Sequence, residues 1–206
     1  MLYDISPPVT QSLAVWPGDT PPSRQVLLDM HRGESITLST LRATVHLGAH
    51  ADAPSHYGRD AEAIDRRPLD LYVGRCQVVS IPVARGTRIP PSMVPAGLSG
   101  ERILVKTGTY PDPDRWNEDF AAFEPETVDL LNRRGARLVG IDTPSVDLFD
   151  AKELIAHHRF LAHDMAILEG LVLDRVPDGV YELIALPLRL VGFDASPVRA
   201  ILRSLS

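Results

Sequence analysis

The chain has 206 residues, is 44% hydrophobic and 23% charged, and carries a formal net charge of −6; this is ordinary globular composition for one domain spanning 1–206, since two full domains would each be small. No basic stripe is present to neutralise phosphates, which argues against a nucleic-acid partner, and no apolar run approaches the roughly 18 residues of a membrane helix. The start, Met1-Leu2-Tyr3-Asp4-Ile5, lacks the basic-then-apolar pattern of a signal peptide and Cys76 is the single cysteine, so a reducing, cytoplasmic setting is expected.

In chain order, an apolar run predicts a strand at Leu13–Trp16, running into the turn signal Val15-Trp16-Pro17-Gly18-Asp19. Strands are expected at Gln25–Met30, Ser35–Leu41 and Cys76–Ile81, then a helix over Ser92–Leu98 interrupted by Pro95 and Gly97. A strand at Ile103–Lys106 precedes a helix over Glu126–Arg134, opened by Pro125 and closed by Gly135. Next come a strand at Leu138–Ile141, a helix over Ala151–His158 with Asp150 as N-cap, a strand at Tyr181–Ala185 and a helix over Ser196–Leu202. The strand–helix–strand order from Leu138 to Ala185 indicates an α/β domain with ligands at strand ends and in loops. The 18 prolines and 14 glycines are spread along the chain, so turns are frequent and no linker marks a domain boundary.

Residues 46 to 56 read His46-Leu47-Gly48-Ala49-His50-Ala51-Asp52-Ala53-Pro54-Ser55-His56, which places three of the seven histidines in one short run around an aspartate. Imidazole and carboxylate are ligands for zinc, manganese and iron at neutral pH. In an extended segment His46, His50, Asp52 and His56 would share one side. His46 and His50 would also share a helix face, but Gly48 and Pro54 disfavour a helix, so the run reads as a strand or loop edge. A lone histidine is most often a surface or hydrogen-bonded core residue. Three buried imidazoles and a carboxylate without a metal would instead leave polar atoms unpaired, at about 1–3 kcal/mol each.

A second polar concentration holds His157, His158, His163, Asp164 and Glu169. On a helix His157 and His158 diverge by about 100 degrees, so at most one faces a shared site. Glu169 lies in the apolar run Ala166–Val172, where a carboxylate either escapes to solvent at the Gly170 turn or needs a partner or a metal.

The pattern His46-x-Gly48-x-His50-x-Asp52-x-Pro54-x-His56 resembles the signature of the cyclase family of metal-dependent hydrolases, and especially its bacterial-type kynurenine formamidase branch. Asp4-Ile5-Ser6, Trp16-Pro17-Gly18-Asp19-Thr20, Lys106-Thr107-Gly108, Gly140–Asp147 and the His157 to Glu169 spacing are similar to blocks of that branch. Ala49 stands where the wider family often has threonine. The resemblance implies a mixed β-sheet with a barrel-like core and a few flanking helices. It implies two divalent ions, zinc being favoured by the nitrogen and oxygen ligands and manganese fitting the same shell. His46, His50 and Asp52 would hold one ion; Asp52 and Glu169 would bridge to a second, completed by His157. His56 would be the acid/base and Trp16 would line the substrate pocket. Asp142, Ser145 and Asp147 would support the site, with His158 and His163 outside it. A homodimer is implied as well.

The implied reaction is hydrolysis of N-formyl-L-kynurenine to L-kynurenine and formate, a step of tryptophan breakdown. Two metals about 3.5–4 Å apart would activate water and polarise the formyl carbonyl. Their charges, offset by Asp52, Glu169 and hydroxide, leave about +1 to favour an anionic intermediate. His56 would protonate the leaving aniline nitrogen. A hydrolase opening a cyclic amide such as isatin could use the same site, and a non-catalytic metal-binding protein is the reading from another class; His56, unneeded by the ligand count, favours catalysis.

Overall fold

A computed structural model describes residues 1–205. Its strands are β1 (Leu2–Asp4), β2 (Ser23–Leu28), β3 (Leu38–Arg42), β4 (His50–Asp52), β5 (Val73–Ser80), β6 (Arg88–Ile89), β7 (Arg102–Lys106), β8 (Ala122–Phe123), β9 (Leu138–Ile141), β10 (Ala166–Glu169), β11 (Gly179–Ile184), β12 (Ala195–Pro197) and β13 (Ile201–Ser204). The helices are α1 (Pro54–Tyr57), α2 (Pro125–Arg133) and α3 (Ile155–Ala162). Among the described residues, nine strands form one sheet in the order β1-β13-β11-β5-β7-β9-β10-β4-β12, while β2–β3 and β6–β8 form two small sheets. The large sheet curls into a half-barrel with few helices, the α/β architecture expected.

Strands β5, β7, β9 and β10 are parallel neighbours at the centre, and antiparallel strands extend both flanks. Parallel strands covered on both faces need near-continuous apolar runs, and β9 and β10 are buried along their whole length. The period of two sorts their side chains. Leu104, Leu138 and Leu168 enter one core cluster, whereas Ile103, Val105, Val139, Ile141 and Ile167 enter another with Val128 and Leu131 of α2 and Phe160 of α3. Each fully buried aliphatic side chain contributes about 1.5–3 kcal/mol, so both faces are firmly seated. Glu169 ends β10 at the carboxyl edge of the parallel strands, where open α/β sheets place their ligands.

Four expected elements differ. Leu13–Trp16 is irregular, because Pro17 follows and its amides make a turn bond, Leu13 N to Thr10 O, and one distant bond, Ala14 N to Pro113 O, in place of a ladder. Ser196–Leu202 is not helical. Its residues enter β12 and β13, where ladders to β4, β11 and β1 outweigh any local helical preference. Ser92–Leu98 keeps only one 3-10 turn at Pro91–Met93 before Pro95. The helix expected over Ala151–His158 begins later, at Ile155, after Leu154 in the left-handed region (φ 46). Asp150 does not cap it. The carboxylate of Asp147 accepts from Ala156 N at 3.1 Å and His157 N at 3.0 Å instead, doing an N-cap's work from outside the helix. By contrast, α2 matches expectation, with Pro125 in its first turn.

Candidate metal centre

The histidine-rich run is broken into three pieces, not laid out as one extended edge. Gly48 takes φ 55, a left-handed turn that separates His46 from the following strand and rules out a common helix face. Strand β4 then lies between β10 and β12, with Cα partners His50↔Glu169 and Ala195↔Asp52. Alternation sends Ala51 into the core and leaves His50 and Asp52 on the other face. Pro54 starts α1, which folds His56 back so that its ring lies 4.2 Å from that of His46. The crossing beside Glu169 is tight. A Cβ on Gly170 would meet Gly48 O at 2.1 Å, and Gly170 has φ +64. Gly170→Ala combines overpacking, about 1–3 kcal/mol, with left-handed strain, about 1–2 kcal/mol. We expect its melting temperature to fall by about 5–15 °C in calorimetry; an unchanged transition would contradict the close approach.

Three imidazoles surround two carboxylates, and each is held from outside. His50 Nδ1 lies 2.9 Å from Gly48 O. A carbonyl only accepts, so Nδ1 donates and Nε2 is left bare. That Nε2 faces Glu169 Oε2 at 3.2 Å and Asp52 Oδ1 at 3.5 Å. His157 donates through Nδ1 to Asp147 Oδ2 at 2.8 Å, turning Nε2 toward Asp52 Oδ2 and Glu169 Oε1, each at 3.5 Å. His46 Nε2 lies 3.0 Å from Asp194 Oδ2, with Nδ1 3.1 Å from Asp52 Oδ1. Outer acceptors that fix the tautomer of an imidazole are the usual surroundings of metal-ligating histidine. His50, Asp52, His157 and Glu169 are all buried, and among the described residues His50 Nε2 and both oxygens of Asp52 have no hydrogen-bond partner. Buried orphans of this kind are expensive, and a cation between them satisfies all three. Among the described residues, two groups bring ligand atoms within 4.8 Å of one another, His50–Asp52–Glu169 and His46–Asp52–His56. Asp52 belongs to both.

Burial disfavours charge on each of these groups, and the pairing outweighs it. Desolvation lowers His46, but the carboxylates of Asp52 and then Asp194 beside it raise it to about 9. Burial pulls His157 down, but Asp147, Asp52 and Glu169 hold it well above its ordinary value. Asp52, despite complete burial, is held well below the usual carboxylate range by His157 and His46. Glu169, pushed up by burial and by Asp52, is held down by His157 and His50. Asp52 and Glu169 thus stay ionised although buried, a pair of carboxylates that favours positive partners.

The supporting acids act at one remove. Asp147 also accepts from Arg88 Nη1 at 2.8 Å, and Ser145 Oγ accepts from Asp147 N at 3.1 Å. Asp142 accepts from Thr107 N, Thr107 Oγ1 and Gly108 N, tying the ends of β7 and β9 together. His158 is exposed on α3, and His163 Nε2 meets Asp129 Oδ1 at 2.6 Å, joining α3 to α2. Neither reaches the centre. Glu169 Oε1 accepts from Val146 N at 2.7 Å and is buried; it does not turn out to solvent at Gly170. Asp194 is the site residue that sequence reasoning missed. It lies 148 positions from His46 and just before a segment expected to be helical, so neither spacing nor period marks it.

A cavity of about 800 Å³ opens onto this centre. His46, His50, His56, His157 and Glu169 line its polar side, and Trp16, Tyr110 and Trp116 line its aromatic side. Trp16 is 36% exposed, its ring 5.2 Å from those of Trp116 and Phe149. The loop Pro17–Asp19 closes beneath it through Asp19 N to Trp16 O.

Residues 3–148, which include the whole histidine-rich run, match the family model described as Cyclase. The chain belongs to the cyclase family. His157, Glu169 and Asp194 lie beyond the matched segment, but solved structures similar to this cyclase chain extend over them. One, a potential metal-dependent hydrolase with cyclase activity, is 26% identical with a TM-score of 0.85, covering 98% of this chain and 96% of its own. A predicted metal-dependent hydrolase from Bacillus stearothermophilus is 27% identical at TM-score 0.83, covering 98% and 97%. Isatin hydrolase A from Labrenzia aggregata, 20% identical at TM-score 0.81 with 98% and 93% covered, shares the fold.

Proposed function

We propose that this cyclase-family chain is a metal-dependent hydrolase of aryl formamides that converts N-formyl-L-kynurenine to L-kynurenine and formate. The observation that carries the metal is the convergence of the unpartnered His50 Nε2 with both unpartnered oxygens of Asp52 in a buried acidic pocket. The names of the two similar hydrolases support the same chemistry. His46, His50 and Asp52 would hold one divalent ion, zinc or manganese; Asp52, Glu169 and His157 would hold a second. Bound divalent cations supply Lewis acidity, which makes water nucleophilic near neutral pH and stabilises negative charge on the substrate carbonyl. His56 lines the cavity on α1 and supplies the proton that the aniline nitrogen needs as its bond to the formyl carbon breaks.

The aromatic side of the cavity supports an aryl substrate. Trp16 is already packed edge-on against Trp116 and still keeps an open face. Trp16→Ala is expected to raise KM about 3–10-fold, the worth of one aromatic contact, with kcat within about 2-fold. Unchanged kinetics with a lowered melting temperature would make Trp16 a packing residue only. The reaction is tested by parallel assays of the metal-loaded protein on N-formyl-L-kynurenine and isatin. Release of formate and kynurenine from the first supports the proposal. Turnover of isatin alone would move the substrate class to cyclic amides, and turnover of neither would remove the formamidase reading.

A further inference from the structure

We infer that Asp194 is a positioning residue that sets two imidazoles at once, presenting Nδ1 of His46 to the metal centre and Nε2 of His56 to the substrate. The inference rests on the reading of His46 as a ligand and His56 as the acid/base. One oxygen, Asp194 Oδ2, lies 3.0 Å from His46 Nε2 and 3.4 Å from His56 Nδ1. A carboxylate only accepts, so His46 Nε2 donates to it, and the charge of the same oxygen, an ion-pair contact away from His56, favours the His56 proton on the facing Nδ1. The consequence for each ring is a chosen tautomer. With Nε2–H given to Asp194, the nitrogen of His46 left for a metal is Nδ1, which lies 3.1 Å from Asp52 Oδ1. With its proton on Nδ1, His56 keeps Nε2 free to exchange a proton with the reacting molecule. Without the acceptor, either ring can turn over or exchange tautomers, and the wrong nitrogen then faces the chemistry.

Asp194 can do this because its backbone is held beside the histidine run, although its side chain is about half exposed. Its carbonyl accepts from Ala53 N at 2.8 Å, and that of Phe193 accepts from Ile64 N at 2.9 Å. Gly192 N donates to Asp65 Oδ1 at 2.9 Å, and Ala195 pairs with Asp52 in the sheet. These bonds flank α1 on both sides, so the carboxylate is registered against His46 and His56 by main chain. Truncating an exposed side chain there leaves every one of these bonds in place.

The test uses full-length protein loaded with zinc and labelled with 15N at histidine. Imidazole nitrogen–proton correlation spectra report which nitrogen of His56 is protonated, and competition with a chromogenic chelator gives zinc affinity. In the wild type, His56 is expected to carry its proton on Nδ1. In Asp194→Ala it should become a mixture of tautomers, with zinc affinity and kcat each reduced about 10–100-fold and KM within about 2-fold. Asp194→Asn, whose amide oxygen still accepts from one ring, should fall between the two. Retention in Asp194→Ala of the wild-type His56 tautomer, of zinc affinity or of kcat overturns the inference. Tautomer and zinc affinity are read without substrate, so an absence of formamidase turnover in the wild type would sink the functional reading and leave these two readouts to judge Asp194.

Discussion

His56→Ala is expected to lower kcat by about 10²–10⁴-fold, the range for a removed general acid or base, while metal content stays at the wild-type level. His50→Ala should lose metal as well as activity. The two histidines differ in their surroundings. The side chain of His50 is 4% exposed and aims its bare nitrogen at two carboxylates, whereas that of His56 is 35% exposed and faces Asp194. The comparison is decisive because His56 also comes within ligand range of His46 and Asp52. Elemental analysis and steady-state kinetics on the two variants separate the roles. Equal metal loss in both would make His56 a ligand and contradict its assignment as proton donor.

Asp147→Ala should be the most destabilising change near the site, by about 3–5 kcal/mol. Asp147 is fully buried and accepts from Arg88, from two amides at the start of α3 and from His157 Nδ1. Removing it strands a guanidinium and uncaps the helix that carries His157. The lower end of the range is favoured because Arg88 keeps its bond to Phe123 O and its side chain remains 18% exposed. Metal affinity should also fall about 10–100-fold, since His157 loses the partner that orients it. Burial opposes ionisation of Asp147, but His157 and the helix amides bring it down to about 2. A depressed carboxylate stabilises the fold above its ordinary value of 3.8. Its contribution is therefore complete at neutral pH and fades as the pH falls toward about 2. Urea unfolding of wild type and variant, with zinc competition, checks both effects; stability within about 1 kcal/mol and unchanged affinity would contradict them.

Central strands and α2 were legible in the sequence because their signals are local and strong. Ile103–Lys106 and Leu138–Ile141 are apolar runs of strand length, and Pro125 and Gly135 bracket α2. The histidine-rich run announced itself by composition alone. Its path did not, because the turn at Gly48 and the short helix at Pro54 are set by contacts with Pro7, β10 and β12 that lie far away in sequence. Glu169 and His157 could be nominated, since a carboxylate in an apolar run needs a reason and two adjacent histidines cannot both face one site. The end of the chain was misread for the opposite cause: the pairings of Ala195–Pro197 and Ile201–Ser204 are entirely long-range. Asp194 was hidden with them. Capping of α3 by Asp147 was equally invisible, because Leu154 takes a left-handed conformation and the cap comes from a loop.

The most direct test of the metal centre is anomalous diffraction from crystals of zinc-loaded protein, measured on both sides of the zinc absorption edge. The expected result is anomalous density within about 2.0–2.2 Å of His46 Nδ1, His50 Nε2 and the carboxylate of Asp52, with a second peak reached by Asp52, Glu169 and His157 Nε2. Density held only by residues elsewhere, or none between β4 and β10 at full zinc loading, would contradict a metal at the heart of this site.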